Sequence, residues 1–349
     1  MSYRKIANCL KLILSLSLML LCLIGKSQNN FNDVDAYIST NQKLLGKSFA
    51  AIIYKNGKII YQKEAGEFTI KNKAPIASCS KWLTAALLMT FVDEGKISLD
   101  DKVSKYLPIF ATYGKAYITI NNCLSHTTGI ADNQKMLSKI FERSKFESLE
   151  DEVNFFPKKE IDTNPGTSFS YGGIGLNIVG RILEIVGKKK FDVLIKQRIF
   201  TPLNMKNSSF TPENNAVNPS EGAVSTAADY MNFLTMLLDK GMFAGKRILS
   251  EKAVAQMQTV QTNNIAKKYT PKVTEGFEYG LGEWIQEKDS KGNSTVVSCP
   301  SLFGTWPYID KCRGYAFIFF NKNVLGEQKK ELYLELKKTI DKQIPTTCN

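Results

Sequence analysis

Strand-forming runs stand near both ends of this chain and are missing from its middle, and that arrangement limits the fold more than any single residue does. Phe49 to Tyr54 and Lys58 to Lys63 are rich in β-branched and aromatic residues. Asn56-Gly57 between them is the dipeptide favoured in a type I′ turn, so the two runs predict a hairpin. Strand-like runs return only at Tyr279 to Gln286, Ser294 to Val297, Gly304 to Asp310 and Tyr315 to Asn321. In between, the hydrophobic period is helical. Leu83, Leu87, Leu88, Phe91 and Val92 fall on one face of a helix predicted over Ser80 to Glu94, with Gly95 placed to stop it. Helical patches follow at Ile174 to Val186, Phe191 to Ile199 and Thr226 to Lys240, and the charged, periodic stretch Gly326 to Lys342 comes last. Strands from both ends with helices between them predict an α/β fold of the α+β type, an antiparallel sheet flanked by helices plus a mostly helical lobe. The α/β lobe is expected at about residues 28–98 and 211–349 and the helical lobe at about 99–210. No repeat, linker-like tract or low-complexity block divides residues 28–349 further.

The first residues read differently. Arg4 and Lys5 precede an uncharged stretch from Leu12 to Ile24, and the small residues Gly25 and Ser27 follow at the spacing a signal peptidase needs. That stretch of 13 residues is too short to span a bilayer and suits a secretory h-region. Residues 1–27 are therefore expected to be a signal peptide, and the protein to be exported to a periplasm or beyond the cell. Retention as an anchor, or lipidation at Cys22, is the alternative. Leu21 is bulky where lipoprotein signals carry a small residue, which favours secretion. Membrane contact is expected only if this segment is retained or lipidated.

With 43% apolar and 23% charged residues, the 349-residue chain can bury one large core or two modest ones, which excludes disordered, collagen-like and coiled-coil classes. Its 46 basic and 33 acidic side chains give a formal charge of +13, but only Lys188, Lys189 and Lys190 form a block. Scattered lysines on an exported protein describe a solvated surface, so no nucleic-acid partner is expected. Beyond Cys9 and Cys22 the cysteines are Cys79, Cys123, Cys299, Cys312 and Cys348, with no C-x-x-C pair. At most two disulfides can form, and the spacing leaves their connectivity open. His126 is the only histidine and no carboxylates cluster at ligand spacing, so no metal is expected.

Chemistry is concentrated at the start of the first long helix, where Ser78-Cys79-Ser80-Lys81 forms an S-x-x-K tetrad after Pro75. Positions i and i+3 share a helical face, which sets the Lys81 amine one turn from the Ser78 hydroxyl. A helix N-terminus also directs backbone N–H groups at an oxyanion formed there. The same tetrad recurs at Ser2 and Lys5, so the pattern alone does not separate a nucleophile from an N-cap serine.

The flanking residues do separate them. Ile76-Ala77-Ser78-Cys79-Ser80-Lys81, with the helix running on into Asp93-Glu94-Gly95-Lys96-Ile97-Ser98-Leu99-Asp100-Asp101, resembles the first motif of the serine β-lactamase and penicillin-binding protein superfamily. The resemblance is closest to the class C β-lactamase branch with its related carboxylesterases and D-amino-acid peptidases. Leu124-Ser125-His126-Thr127-Thr128-Gly129-Ile130 is similar to that branch's L-x-H-x-S/T-G segment, and Pro165-Gly166-Thr167-Ser168-Phe169-Ser170-Tyr171 to its P-G-x-x-F-x-Y segment. Ile199-Phe200-Thr201-Pro202-Leu203-Asn204-Met205 and Ser225-Thr226-Ala227-Ala228-Asp229 continue the series in the family's order.

The resemblance implies a role for each matching residue. Ser78 corresponds to the acylated nucleophile, Lys81 to its activating partner, and Tyr171 to the second-motif tyrosine that shares acid/base work, its phenolate to be stabilised by Lys81. The second motif, Y-x-N in the family, reads Tyr171-Gly172-Gly173, so Gly173 stands where a substrate-facing amide is usual. The third motif, K-T-G or H-T-G in the β-lactamases, is matched by Cys299-Pro300-Ser301, which carries no cation. Those three residues are expected to line the substrate site, and the N–H of Leu302 to complete the oxyanion hole with that of Ser78. His126 falls in a segment the family uses structurally, and no G-x-S-x-G elbow supports a Ser-His-Asp reading. Since Cys79 and Cys299 flank two motifs that this fold brings to one cleft, a disulfide between them is a further expectation.

The implied activity is that of a serine hydrolase passing through an acyl-enzyme on a small ester, amide or lactam, a chemistry that calls for no cofactor. The uncharged third motif favours esters and small amides, because a substrate carboxylate would lack a charged partner. Lactam or D-peptide hydrolysis is the alternative, and a sensor or binding protein that kept the fold without turnover is the second.

Overall fold

In the computed structural model, residues 30–132, 143–210, 216–321 and 330–348 are described. The expected signal segment, Cys22 included, lies outside them, as does the beginning of the Gly326 to Lys342 stretch.

Seven strands form the main sheet: β1 (Phe49–Lys55), β2 (Lys58–Ala65), β3 (Glu278–Tyr279), β4 (Trp284–Lys288), β5 (Ser294–Ser298), β6 (Trp306–Asp310) and β7 (Tyr315–Asn321). Their spatial order is β3-β4-β5-β6-β7-β1-β2, and every neighbouring pair is antiparallel. The two ends of the chain meet where β1 pairs β7, from Phe49 opposite Asn321 to Lys55 opposite Tyr315. Every residue of β7 is buried, the mark of a strand covered on both faces.

Alternation along β1 sorts the two layers. Phe49, Ala51 and Ile53 face an aromatic-rich layer with Phe317, Phe319, α1 (Asn32–Leu45) and α5 (Lys330–Asp341). Ala50 and Ile52 face the larger core with α2 (Ser80–Asp93), α3 (Ile174–Gly187) and α4 (Ala227–Leu238). In α2 every residue from Ser80 to Phe91 is buried, so it is the axis of that layer rather than a surface helix. A helix walled in on every side holds its polar residues rigidly, and Ser80, Lys81 and Thr84 are such residues.

Three elements depart from the sequence reading. The run Tyr279 to Gln286 is not one strand: Gly280 to Glu283 makes a tight loop between β3 and β4, closed by the Gly280 N–H on the Glu283 carbonyl (2.9 Å). Gly282 takes φ +79° there and lies so close to Ala85 of α2 that a side chain would collide. The helix expected over Phe191 to Ile199 ends at Ile195 and continues as a wide turn, Lys196–Phe200, closed by the Thr201 N–H on the Lys196 carbonyl (2.8 Å). Pro202 then prevents further helix. Helix α1 was not expected at all.

Candidate active site

Ser78 stands in a short 3-10 turn, Ala77–Cys79, that leads directly into α2. Ala77 has φ +40°, a left-handed conformation that costs a residue with a Cβ on the order of 1 kcal/mol or more and marks local strain next to the serine. Lys81 follows one turn on. Its side chain is fully buried, and its Nζ donates to Ser78 Oγ (3.4 Å), to the Ser220 carbonyl (3.2 Å) and to Glu221 Oε1 (3.4 Å).

Tyr171 reaches the same point from the end of the short strand Ser168–Ser170, just before α3. Its ring packs among His126 (4.7 Å between centroids), Trp284 (5.0 Å) and Tyr279 (5.9 Å), and His126 Nε2 is hydrogen-bonded with the Tyr279 hydroxyl (3.0 Å). His126 is thus built into the wall behind Tyr171. Lys81 Nζ lies 4.8 Å from the centre of the Tyr171 ring, over its face. Burial pushes the Tyr171 hydroxyl well above its ordinary pKa, the Cys299 and Glu221 side chains push the same way, and a hydrogen bond with Ser78 opposes them. The resting group is therefore a neutral phenol, a proton donor rather than the Lys81-stabilised phenolate that the sequence suggested.

The second and third motifs are more altered. A Cβ at Gly173 would lie 2.9 Å from Ser220 Oγ, so the space of an asparagine side chain is filled by the chain at Ser220. At Gly172 a side chain would collide with the Asp132 carboxylate. Cys299 and Pro300 are buried, Ser301 is 2% exposed, and their polar groups are turned into the protein. Ser301 Oγ donates to the Ile76 carbonyl (2.7 Å), Cys299 Sγ to the Ser78 carbonyl (3.3 Å), and Cys79 Sγ to the Cys299 carbonyl (2.9 Å). Cys79 and Cys299 are free thiols, which corrects the expected disulfide: each sulfur is aimed at the other segment's backbone. The disulfide of the described residues joins Cys312 to Cys348. Burial pushes the Cys79 thiol up, aided by Cys299, so it stays protonated.

Leu302 follows in the exposed turn after β5, 44% accessible. Outside the helices and strands, no backbone hydrogen bond among the described residues takes up its N–H or that of Ser78. Among the described residues no three His, Cys, Asp or Glu side chains group as metal ligands, and no helix is long and apolar enough to cross a membrane.

The residue that the sequence did not mark is Glu221. Its contact with Lys81 spans 140 positions and rests on a network behind it. Arg143 pairs with Glu152 and donates to the Val217 carbonyl (2.8 Å), Glu152 accepts from Asn177 Nδ2 (3.0 Å), and Asn177 Oδ1 accepts from the Ser220 N–H (3.0 Å). No periodicity or tetrad encodes that path.

The Beta-lactamase family model matches residues 38–338. Among curated proteins, Penicillin-binding protein 4 of Amycolatopsis lactamdurans is 30% identical over 213 residues, covering 52% of this chain and 55% of that protein. The chain thus spans about half the length of that curated relative. A solved structure from Bacteroides dorei DSM 17855, described as a candidate beta-lactamase, superposes with a TM-score of 0.80 at 30% identity, over 90% of this chain and 98% of that one. EstCE1, a hydrolase with promiscuous acyltransferase activity, superposes with a TM-score of 0.72 at 17% identity, over 88% and 97%, a likeness of fold alone.

Proposed function

The chain belongs to the Beta-lactamase family, and from that premise we propose that it is an exported serine hydrolase acting on small esters and amides in preference to β-lactams. The observation that carries the reading is Ser78 Oγ within 3.4 Å of the fully buried Lys81 amine, beside a protonated Tyr171. In the proposed course, Lys81 Nζ is the group that receives the hydroxyl proton as Ser78 Oγ attacks the carbonyl carbon. The N–H groups of Ser78 and Leu302 receive the negative oxygen. The bond to the leaving group breaks with a proton supplied from Tyr171, which regains one from Lys81, and attack of a water, its proton returning to Ser78 Oγ through the same groups, releases the acyl group as the acid. The preference for esters and small amides follows from a third motif without a cation, which offers a substrate carboxylate no partner. Export is supported by the pattern of residues 1–27 and by the Cys312–Cys348 disulfide, a bond at home in an oxidising compartment.

The test follows chromophore release from a p-nitrophenyl ester and from a chromogenic cephalosporin, by the protein and by Ser78→Ala. Sustained ester turnover that falls about 10^3-fold or more in the variant, with little cephalosporin cleavage, is the expected result. Ester release that survives Ser78→Ala overturns the serine mechanism, and faster cephalosporin cleavage overturns the preference.

A further inference from the structure

The segment at residues 218–223 is fastened to α2 and α3. Thr84 Oγ1 of α2 donates to the Pro219 carbonyl (2.6 Å), Asn177 accepts from the Ser220 N–H (3.0 Å), Lys81 Nζ donates to the Ser220 carbonyl (3.2 Å), and the Ala223 N–H donates to Ser80 Oγ (3.0 Å). Glu221 sits in the middle of these ties, and its place is fixed by the fold rather than by a mobile loop. Its side chain is 52% exposed while that of Lys81 is buried, so the carboxylate is the solvent-facing member of the pair. Ser78 Oγ and Glu221 Oε1 both lie 3.4 Å from the same Lys81 nitrogen. No hydrogen bond among the described residues takes up Glu221 Oε2, which leaves half of an exposed carboxylate available to a ligand.

The opposite wall supplies no compensating cation. Cys299, Pro300 and Ser301 are uncharged, and Glu283, buried behind them, is driven toward its neutral form by burial. Among the described residues, the charges set beside the reacting serine are thus Lys81 and the Glu221 carboxylate paired with it.

We propose that Glu221 is a specificity-determining residue of this site, selecting substrates that carry a cationic ammonium group on the acyl side, close to the scissile carbonyl, and rejecting those with a carboxylate there. The proposal deepens the serine-hydrolase reading and rests on it. A positive group a few ångströms from the carbonyl can meet Glu221 Oε2, whereas a negative group there is repelled by the same carboxylate, whose other oxygen is already taken by Lys81. At such separations one charge pair changes relative affinity by roughly 3- to 100-fold, depending on how much water remains.

Two substrates of one shape isolate the charge: the p-nitrophenyl ester of trimethylammonioacetate and its uncharged isostere, the p-nitrophenyl ester of 3,3-dimethylbutyrate. Rates are compared for the protein, Glu221→Gln, Glu221→Asp and Ser78→Ala, the last giving the background. The ratio of kcat/KM, cationic over neutral, is expected to favour the cation, to fall about tenfold in Glu221→Gln through KM, and to be largely kept in Glu221→Asp. A merely structural role for Glu221 would lower both substrates together and leave the ratio in place, which overturns the proposal. Binding of the unreactive betaine amide against 3,3-dimethylbutyramide, measured on Ser78→Ala with and without Glu221→Gln, reads recognition without turnover. Equal binding of the two amides overturns the proposal as well. Ester release that persists in Ser78→Ala instead overturns the hydrolase reading beneath it, and the amide measurement keeps the two failures apart.

Discussion

The two walls of the cleft have gone different ways. On the α2 side, Ser78, Lys81 and Tyr171 converge with their reactive atoms toward one point, and the strain at Ala77 is kept beside them. On the β5 side, Cys299 and Ser301 hold polar atoms too, but those atoms tie the strand end to the backbone at Ser78 and Ile76. One wall presents chemistry and the other splints it. The same place in a fold can therefore lose its reacting groups while becoming more necessary to the geometry of the groups that remain.

Removing the Tyr171 hydroxyl should break the first wall most clearly. Tyr171→Phe keeps the ring packed against His126 and Trp284 and is expected to lower kcat on an activated ester by about 10^2-fold, with little change in thermal midpoint. A variant within twofold of the parent would remove Tyr171 from the proton path.

The second wall is sharpened by the acid buried behind it. Glu283 is fully buried, and the polar group that faces its carboxyl is the Trp82 indole N–H, too poorly placed for a well-formed hydrogen bond. Burial raises its pKa well above the ordinary 4.5, Cys299 adds to this, and Lys311 and the Trp82 N–H oppose it only in part. Above pH 4.5 the unfolded chain then releases a proton that the folded protein retains, so stability falls as pH rises until the folded-state value is passed. The slope from this one group is up to about 1.4 kcal/mol per pH unit, and urea melts between pH 5 and 7 should lose it in Glu283→Gln. Identical slopes in the two proteins would mean that Glu283 is ionised in place.

The smallest effect is expected at Ser301. Ser301→Ala leaves the Ile76 carbonyl without its side-chain donor and should cost about 1 kcal/mol in the same melts, with ester turnover reduced less than tenfold. A loss of turnover beyond a hundredfold without destabilisation would return Ser301 to the substrate site.

What the sequence made legible divides along the same line. Ser78 and Lys81 could be paired from spacing because one helix turn carries both, and the hairpin at Asn56-Gly57 and the period of α2 were equally local. Tyr171 needed the resemblance of its segment, since nothing local joins it to α2. The role of Cys299 and Ser301 depends on which way a side chain points at the end of a strand, and residue type does not record that. Glu221 depends on a path through Arg143, Glu152 and Asn177 that only tertiary packing creates. Helix α1 escaped notice because it buries only Val34, Ile38 and Leu45, too sparse a stripe to stand out among polar neighbours. The run through Leu281 and Trp284 looked continuous because its two glycines turn the chain without interrupting the apolar pattern.

The Cys312–Cys348 bond has a mechanical side. Cys312 lies in the turn between β6 and β7, and Thr347 is also held there by its N–H on the Cys312 carbonyl (2.7 Å). The bond closes 36 positions of sequence, α5 among them, which restrains the unfolded chain by about 4 kcal/mol. A tension applied to the chain beyond Cys348 therefore bypasses α5 and loads the β6–β7 hairpin at the centre of the sheet. While the bond is oxidised, α5 cannot be peeled from the sheet by its end; after reduction it is the first element to bear the load.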